Sequence, residues 1–281
     1  MKKEIRLIAL DLDGTLFNSR GSISSHNRET IKKVMDAGIA VVISTGRPYV
    51  GLPLDALYEL GVKYAITANG SAVYELPDRK CLLEDAISPE RSASLLRDIY
   101  QHNLHLDAFI QGEAYTQAST RNLIENLHIS ESLRAYIQNS RTIVEDLAAF
   151  VVEKQLGVQK LTLNFPSDKN GNPVGRDEIL TLLQKYPDLH SVSGGFQNIE
   201  INKNGISKAR GLLYLCELLH IPVEKSMACG DSQNDYDIVT ASGIGVAMSN
   251  SEQILLEAAD YISRSNDEDG VAYAIKQLVE F

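Results

Sequence analysis

The sequence predicts an α/β fold: a doubly wound, mostly parallel sheet carrying an inserted α+β domain. Three observations predict it. Four short, nearly continuous apolar runs stand out, "IRLIAL" (5–10), "IAVVIS" (39–44), "YAIT" (64–67) and "KSMAC" (225–229). Strands buried on both faces of a parallel sheet lack polar alternation and read this way. Helical patterns separate the runs, and strand–helix–strand order argues for parallel pairing with crossovers. Each run also ends in a cluster of polar residues, and in open α/β sheets ligands sit beyond the carboxyl ends of the strands.

The elements follow in order. The stretch 24–37 has Ser24 and Ser25 as cap candidates, places Ile31, Val34 and Met35 on one face, and stops at Gly38. The segment 208–220 repeats leucine at helical spacing and ends before Pro222. Between these outer parts the pattern changes. Residues 106–118 read as a hairpin, 119–138 as helix, 160–165 as an alternating strand, 166–173 as a loop and 177–186 as helix. Residues 191–202 read as strand around a glycine pair. Alternating strands mixed with helices predict an α+β unit with one open sheet face. The division is therefore 1–84 with 192–281 as one domain and 85–191 as the inserted one.

Composition bounds the function. The 281 residues carry a net charge of −10 and a sequence pI of about 5.1. Such a surface repels nucleic-acid phosphates and anionic membranes, so neither is an expected partner. Three scattered cysteines without a C-x-x-C argue against a disulfide framework. The start "MKKEIRLIALD" is too short and too charged for a signal peptide or a membrane span. A cytoplasmic protein is expected, and its oligomeric state is not legible.

The strand ends carry the chemistry. The first delivers Asp11 and Asp13, the second Ser44, Thr45, Gly46 and Arg47, the third Asn69 and Gly70. The fourth delivers Gly230, Asp231, Ser232, Asn234 and Asp235. Side chains two apart in a strand share a face, so a regular strand points Asp11 and Asp13 at one spot. Two carboxylates that close drive a pKa up; a divalent cation removes the penalty, and hard oxygen ligands suit Mg²⁺. Cationic features converge as well. Pro48 follows "STGR" where the next helix is expected to begin, and free N–H groups at a helix start bind anions. Lys208 opens the 208–220 helix against its dipole, which an anionic partner explains. Carboxylates, a hard metal, a lysine and hydroxyl-plus-amide donors describe a site for a phosphoryl group.

Blander readings stand beside these. Asp11 and Asp13 also suit a solvated turn, Thr45 a helix cap, Lys208 a surface lysine, Asp231 an N-cap and Asn69 a turn; Arg47 suits exposure as well as substrate contact. An EF-hand is excluded, because "DLDGTLFNSRGS" lacks Gly at position 6 and Glu at 12. A glycosyltransferase-type D-x-D leaves Lys208 and "GDSQND" unexplained. His102 and His105 read as an exposed helical pair, and Cys229 as inert packing.

"DLDGT" (11–15), Thr45 in "STGR", Lys208 and "GDSQND" (230–235), in this order, resemble the four motifs of the haloacid dehalogenase-like superfamily. The insertion, with "NGS" (69–71), "GVAMSNS" (245–251) and "DEDGVA" (267–272), resembles its Cof-like sugar-phosphatase subfamily. The resemblance implies a Rossmann-like core, a substrate-selecting cap and a phosphoric monoester hydrolase acting on small phosphorylated metabolites, foremost sugar phosphates. It implies Asp11 as nucleophile forming an aspartyl-phosphate and Asp13 as general acid and then base. Mg²⁺ is expected on the Asp11 and Asp231 carboxylates and the Asp13 backbone carbonyl. Thr45, Lys208, Asn234 and the amides of Leu12 and Gly46 are expected to hold the phosphoryl oxygens, with Asp235 behind them orienting Lys208 or a metal water. The cap is expected to close over the site and read the leaving group, with Phe109, Tyr115, Asn164 and Phe196 as candidate lining. Ala209, Tyr236, Ile238 and Ser249 depart from the subfamily's usual residues, and none of them is a reacting group. A phosphomutase and a non-enzymatic phospho-ligand-binding regulator are the rival functions.

Overall fold

The computed structural model describes residues 2–129, 131–194 and 198–281. The chain begins with β1 (Leu7–Leu10), α1 (Ser25–Asp36), β2 (Ala40–Ser44), α2 (Leu54–Leu60) and β3 (Tyr64–Thr67). Strands β4 (Ala72–Glu75) and β5 (Lys80–Glu84) follow. Next come α3 (Pro89–Ile99), β6 (His105–Ile110), β7 (Glu113–Gln117), α4 (Glu131–Ser140) and β8 (Thr142–Val144). They lead to α5 (Leu147–Glu153), β9 (Lys160–Asn164), α6 (Arg176–Leu183), β10 (Leu189–Val192) and β11 (Ile199–Lys203). The last part holds α7 (Lys208–Leu218), β12 (Ser226–Gly230), α8 (Tyr236–Ala241) and β13 (Ile244–Ala247). It closes with α9 (Gln253–Ala258), β14 (Tyr261–Ile262) and α10 (Gly270–Leu278).

The elements fall into two compact units, one of Met1–Gly46, Pro53–Leu83 and Ser207–Phe281, the other of Arg47–Leu52 and Glu84–Ile206. In the first, the strand order is β14-β13-β12-β1-β2-β3-β4-β5. Every pairing from β14 to β3 is parallel, and β4 runs antiparallel to β3. Alternate residues explain how helices lie on both faces. Leu7 and Ala9 join one cluster with Leu212 and Leu215 of α7, Val239 of α8 and Leu255 of α9. Ile8 and Leu10 point the other way and are equally buried; α1 and α10, which pack on each other, lie outside that cluster. Helix α1 starts where the sequence predicts, because the Ser24 hydroxyl accepts a hydrogen bond from the Asn27 amide.

The second unit has a six-stranded mixed sheet in the order β10-β11-β9-β6-β7-β8. On one face Leu106, Ala108, Leu161, Leu163 and Ile201 pack against helices α3, α5 and α6. The other face departs from expectation. It is polar, as the alternation predicts, but it is not open: Asp107 is 0% exposed, Lys160 1%, Glu200 6% and Thr162 8%. Burial is tolerated because the charges are paired, Arg141 with Asp107 at 2.9 Å and Lys160 with Glu200 at 2.6 Å.

Three further expectations need correction. The inserted unit does not end at 191. Strand β11 is hydrogen-bonded between β10 and β9, so the unit runs on to Ile206. Residues 119–138 are not one helix but a 3₁₀ turn, Arg121–Asn126, followed by α4. No helix starts at Pro48. A 3₁₀ turn spans Tyr49–Gly51 and α2 begins only at Leu54, so the expected α-helix N-terminus does not follow Gly46.

Candidate active site

Strand β1 stops at Leu10, but the Asp11 amide still donates to the Cys229 carbonyl at 3.1 Å. That last rung fixes Asp11, buried, at the carboxyl edge of β1 beside β12. The chain then turns tightly, with the Leu16 amide bonded to the Asp11 carbonyl and the Phe17 amide to that of Leu12. The turn needs Gly14, whose φ is +80°. It needs glycine for a second reason: a Cβ there lies 2.4 Å from Asp231 Oδ2. Because the strand does not continue, Asp11 and Asp13 do not share a strand face as expected. Asp11 is buried, while Asp13 is exposed in the turn, near enough for its charge to act on Asp11.

Strand β12 brings the second group. Gly230 ends it, and a Cβ there would lie 2.4 Å from Asp235 Cβ; only glycine lets the 231–235 turn fold back this closely. Asp235 Oδ2 accepts from the amides of Asp231 and Ser232, at 3.1 and 3.2 Å. Its Oδ1 accepts from Lys208 Nζ at 2.6 Å. Asp231 is held from both sides, by the hydroxyls of Thr15 at 2.8 Å and Ser232 at 3.0 Å. Lys208 is the first residue of α7 and fully buried. Its ammonium also donates to Asp11 Oδ1 at 2.7 Å. Gly70 seats it, since a Cβ at Gly70 would lie 2.0 Å from the Ser207 carbonyl oxygen.

The third group closes on this one. Thr45 is buried, its amide bonded to the Ile66 carbonyl. Its own carbonyl accepts from the Asn69 amide at 3.2 Å, and Asn69 Oδ1 accepts from Asn234 Nδ2 at 3.3 Å. Asn69, with φ of +59°, is thus both a turn residue and a link between strand ends. Leu12 is buried and Gly46 half-buried. Arg47 belongs to the other unit, where its guanidinium lies 4.5 Å from the Tyr136 ring and donates to the Gly51 carbonyl.

The charges are out of balance. Asp11, Asp231 and Asp235 present carboxylate oxygens all within 4.8 Å of one another, against one ammonium. The Asp11 carboxyl is held well above the usual range, first by burial and then by its acidic neighbours acting against Lys208. Asp231 is pushed up to about 7 by burial and by Asp235. Burial opposes the charge on Lys208, but Asp11 and Asp235 outweigh it and hold the ammonium firmly protonated. Hard carboxylates whose acid forms are favoured because they are buried and crowded suit a small divalent cation. Asp235 is the member least available to one, since its oxygens accept three N–H bonds, one of them from the Lys208 ammonium, against two hydroxyl bonds at Asp231.

The sequence reading placed Gly70, Gly230 and Ser232 at the strand ends, and Thr15 in the first motif, without giving any of them a role. Thr15 and Ser232 lie inside the quoted motifs, and their signal was a hydroxyl beside each acid. The glycines act through contacts made across the fold, which spacing does not show. His102 and His105 are no exposed helical pair: His105 opens β6 and is buried. Cys229 is buried and its thiol pushed up by burial, as inert packing predicts. Phe196 lies outside the described residues.

A family profile described as haloacid dehalogenase-like hydrolase matches residues 8–275. The 5-amino-6-(5-phospho-D-ribitylamino)uracil phosphatase YcsE of Bacillus subtilis (strain 168) is 34% identical, over 98% of this chain and 96% of its own length. Phosphatase YwpJ of the same organism is 29% identical, over 98% and 100%. The structure of a haloacid dehalogenase-like hydrolase from B. subtilis superposes with a TM-score of 0.85 at 28% identity, covering 98% of this chain and 100% of that one.

Proposed function

The chain belongs to the haloacid dehalogenase-like hydrolase family, and from that premise we propose a Mg²⁺-dependent phosphatase of small phosphorylated metabolites, foremost sugar and sugar-alcohol phosphates. One observation carries the reading: a fully buried lysine bonded to two carboxylates, with a third beside them and more negative charge than it can neutralise. A cation and a phosphoryl group together complete that balance. YcsE is named for a ribityl phosphate substrate, which supports the substrate class.

In the proposed reaction Asp11 attacks phosphorus in line, forming the aspartyl–phosphate bond as the ester P–O bond breaks. Asp13 gives its proton to the departing alkoxide. It then takes a proton from water as the hydroxide oxygen attacks phosphorus, releasing phosphate and restoring the Asp11 carboxylate. Lys208 holds Asp11 in place and offsets charge on the transferring oxygens. Thr45, Asn234 and the amides of Leu12 and Gly46 are the proposed phosphoryl-oxygen donors, and Asp235 orients Lys208. Asp11, Asp231 and the Asp13 carbonyl would hold Mg²⁺, which supplies Lewis-acid stabilisation of developing charge.

The test is phosphate release from a panel of sugar and polyol phosphates before and after chelation. Turnover should vanish with chelator and return with Mg²⁺, with free phosphate as product. A rate indifferent to chelator overturns the metal, and an isomerised ester in place of free phosphate overturns the hydrolysis.

A further inference from the structure

The turn that carries Asp13 is held from far outside its own motif. Its amides close it from within, Leu16 on the Asp11 carbonyl and Phe17 on that of Leu12. Two of its carbonyls, those of Gly14 and Phe17, are held by asparagine side chains 236 and 249 residues further along the chain. Asn250 Nδ2 donates to the Gly14 carbonyl at 2.9 Å, and Asn266 Nδ2 donates to the Phe17 carbonyl at 2.8 Å. The two asparagines are also joined to each other, because Asn250 Oδ1 accepts from the Asn266 amide at 3.0 Å. A backbone carbonyl only accepts and a backbone amide only donates, so the side-chain amide of Asn250 has one possible orientation.

The loop behind this clamp is set by its own bonds. Ser265 and Glu268 bond reciprocally at the start of a 3₁₀ turn, Asn266–Glu268, and the Gly270 amide returns to the Ser265 carbonyl at 3.1 Å. The same loop takes a third hold on the segment after the turn, where Asp267 Oδ1 accepts from the Ser19 amide at 2.8 Å. Gly14 makes the clamp matter. Its φ of +80° is open to glycine, the residue with the most backbone freedom. A bond to its carbonyl removes that freedom one residue away from the Asp13 carboxyl. A general acid must stay within hydrogen-bond reach of the atom it protonates, and a misplacement of about 1 Å can cost about 10²-fold in rate.

We propose that Asn250 and Asn266 are positioning residues for Asp13, one linked clamp that fixes the Gly14–Phe17 turn and so holds the proton-donating carboxyl in place. The consequence for turnover rests on the phosphatase reading; the clamp itself does not.

The experiment reads the two separately. Asn250 is exposed, so Asn250→Ala should fold with a near-parental thermal midpoint. Hydrogen exchange at the Leu16 and Phe17 amides should then become about tenfold faster, with the β1 and β12 amides unchanged. Activity is compared, as kcat/KM, on the best alkyl phosphate of the panel and on 4-nitrophenyl phosphate. An alkoxide needs its proton to leave and a nitrophenolate does not. The variant should lose about tenfold on the alkyl ester and no more than about twofold on the aryl one. In an Asp13→Asn background the same substitution should cost nothing further. Asn266→Ala, which cuts the other end of the clamp, should repeat the pattern, and it decides the matter if Asn250→Ala misfolds. Unchanged exchange at Leu16 and Phe17, or equal losses on the two esters, overturns the proposal; the second result leaves the asparagines a purely structural role. If the parent releases no phosphate from either ester, the phosphatase reading fails, and exchange alone decides the clamp.

Discussion

The two units each bury a cluster of charged side chains, and they balance them in opposite ways. In the first, three carboxylates share one ammonium at Lys208. In the second, charges pair one to one, Arg141 with Asp107 and Lys160 with Glu200. Excess charge marks a site that awaits a charged partner. Balanced charge leaves nothing for a charged partner to neutralise. The lesson is that burial alone does not identify a site; what identifies it is the kind of deficit that burial leaves.

The largest effect separates chemistry from stability in the first unit. Asp11→Asn should lower phosphate release by on the order of 10⁴-fold or more, the scale seen when a covalent nucleophile is removed. Its thermal midpoint should hold or rise, because one of three crowded carboxylates loses its charge and functional sites carry such strain. Steady-state assay and a melting scan on the same preparation check both. Near-parental activity removes Asp11 as nucleophile. A collapse of the midpoint says instead that pairing with Lys208, not crowding, dominates there.

Next come two of the buried cations, one from each unit, compared directly. Lys208→Met and Arg141→Met each leave buried carboxylate charge uncompensated, a loss of about 3–5 kcal/mol when one partner of a buried pair is removed. Urea unfolding should show both. The two should then part company when Mg²⁺ is added. It should recover part of the Lys208→Met loss by binding the folded acid cluster and none of the Arg141→Met loss, because Asp107 is a single acid. Equal recovery in both variants would erase the distinction between the clusters.

How much of this was legible follows the same division. The acids and the lysine of the first unit were readable because each stands at a strand or helix end, where local pattern fixes its place: Asp11 after β1, Asp231 after β12, Lys208 opening α7. What misled was geometry between neighbours. The alternation rule put Asp11 and Asp13 on one face, but the strand ends at Leu10 and the chain enters a helical turn at Leu12, before the rule applies. Pro48 suggested a helix start, yet the chain takes a 3₁₀ turn there. The second unit was readable as an alternating sheet, but alternation reports polarity, not exposure. Only register shows that Asp107 meets Thr162 and that Thr162 meets Glu200. The end of that unit was misplaced for the same reason, since β11 is defined by its partners and not by its own residues.

The smallest effect concerns acid, and the two units should respond with opposite sign. The His105 imidazole is buried, with Nδ1 3.3 Å from Asn164 Nδ2. Burial first, with Arg141 adding and Asp107 opposing, holds its pKa below the ordinary value. In the unfolded chain it titrates near 6.5, so between the folded value and about 6.5 the unfolded state binds more protons. His105 therefore contributes stability that is present above about pH 6.5 and is lost as pH falls through its folded value. Asp231 runs the other way. With a folded pKa of about 7 and an unfolded one near 3.9, its contribution is full below about pH 4 and is lost as pH rises toward 7. A pH series of thermal midpoints for the parent mixes the two. His105→Gln removes only the first, so the parent-minus-variant difference should shrink on acidification below about pH 6.5, by at most about 1.4 kcal/mol for each pH unit. A difference that stays flat with pH would show that the buried imidazole gives up nothing to protonation, and that the polar face of the second unit is less dry than its pairing implies.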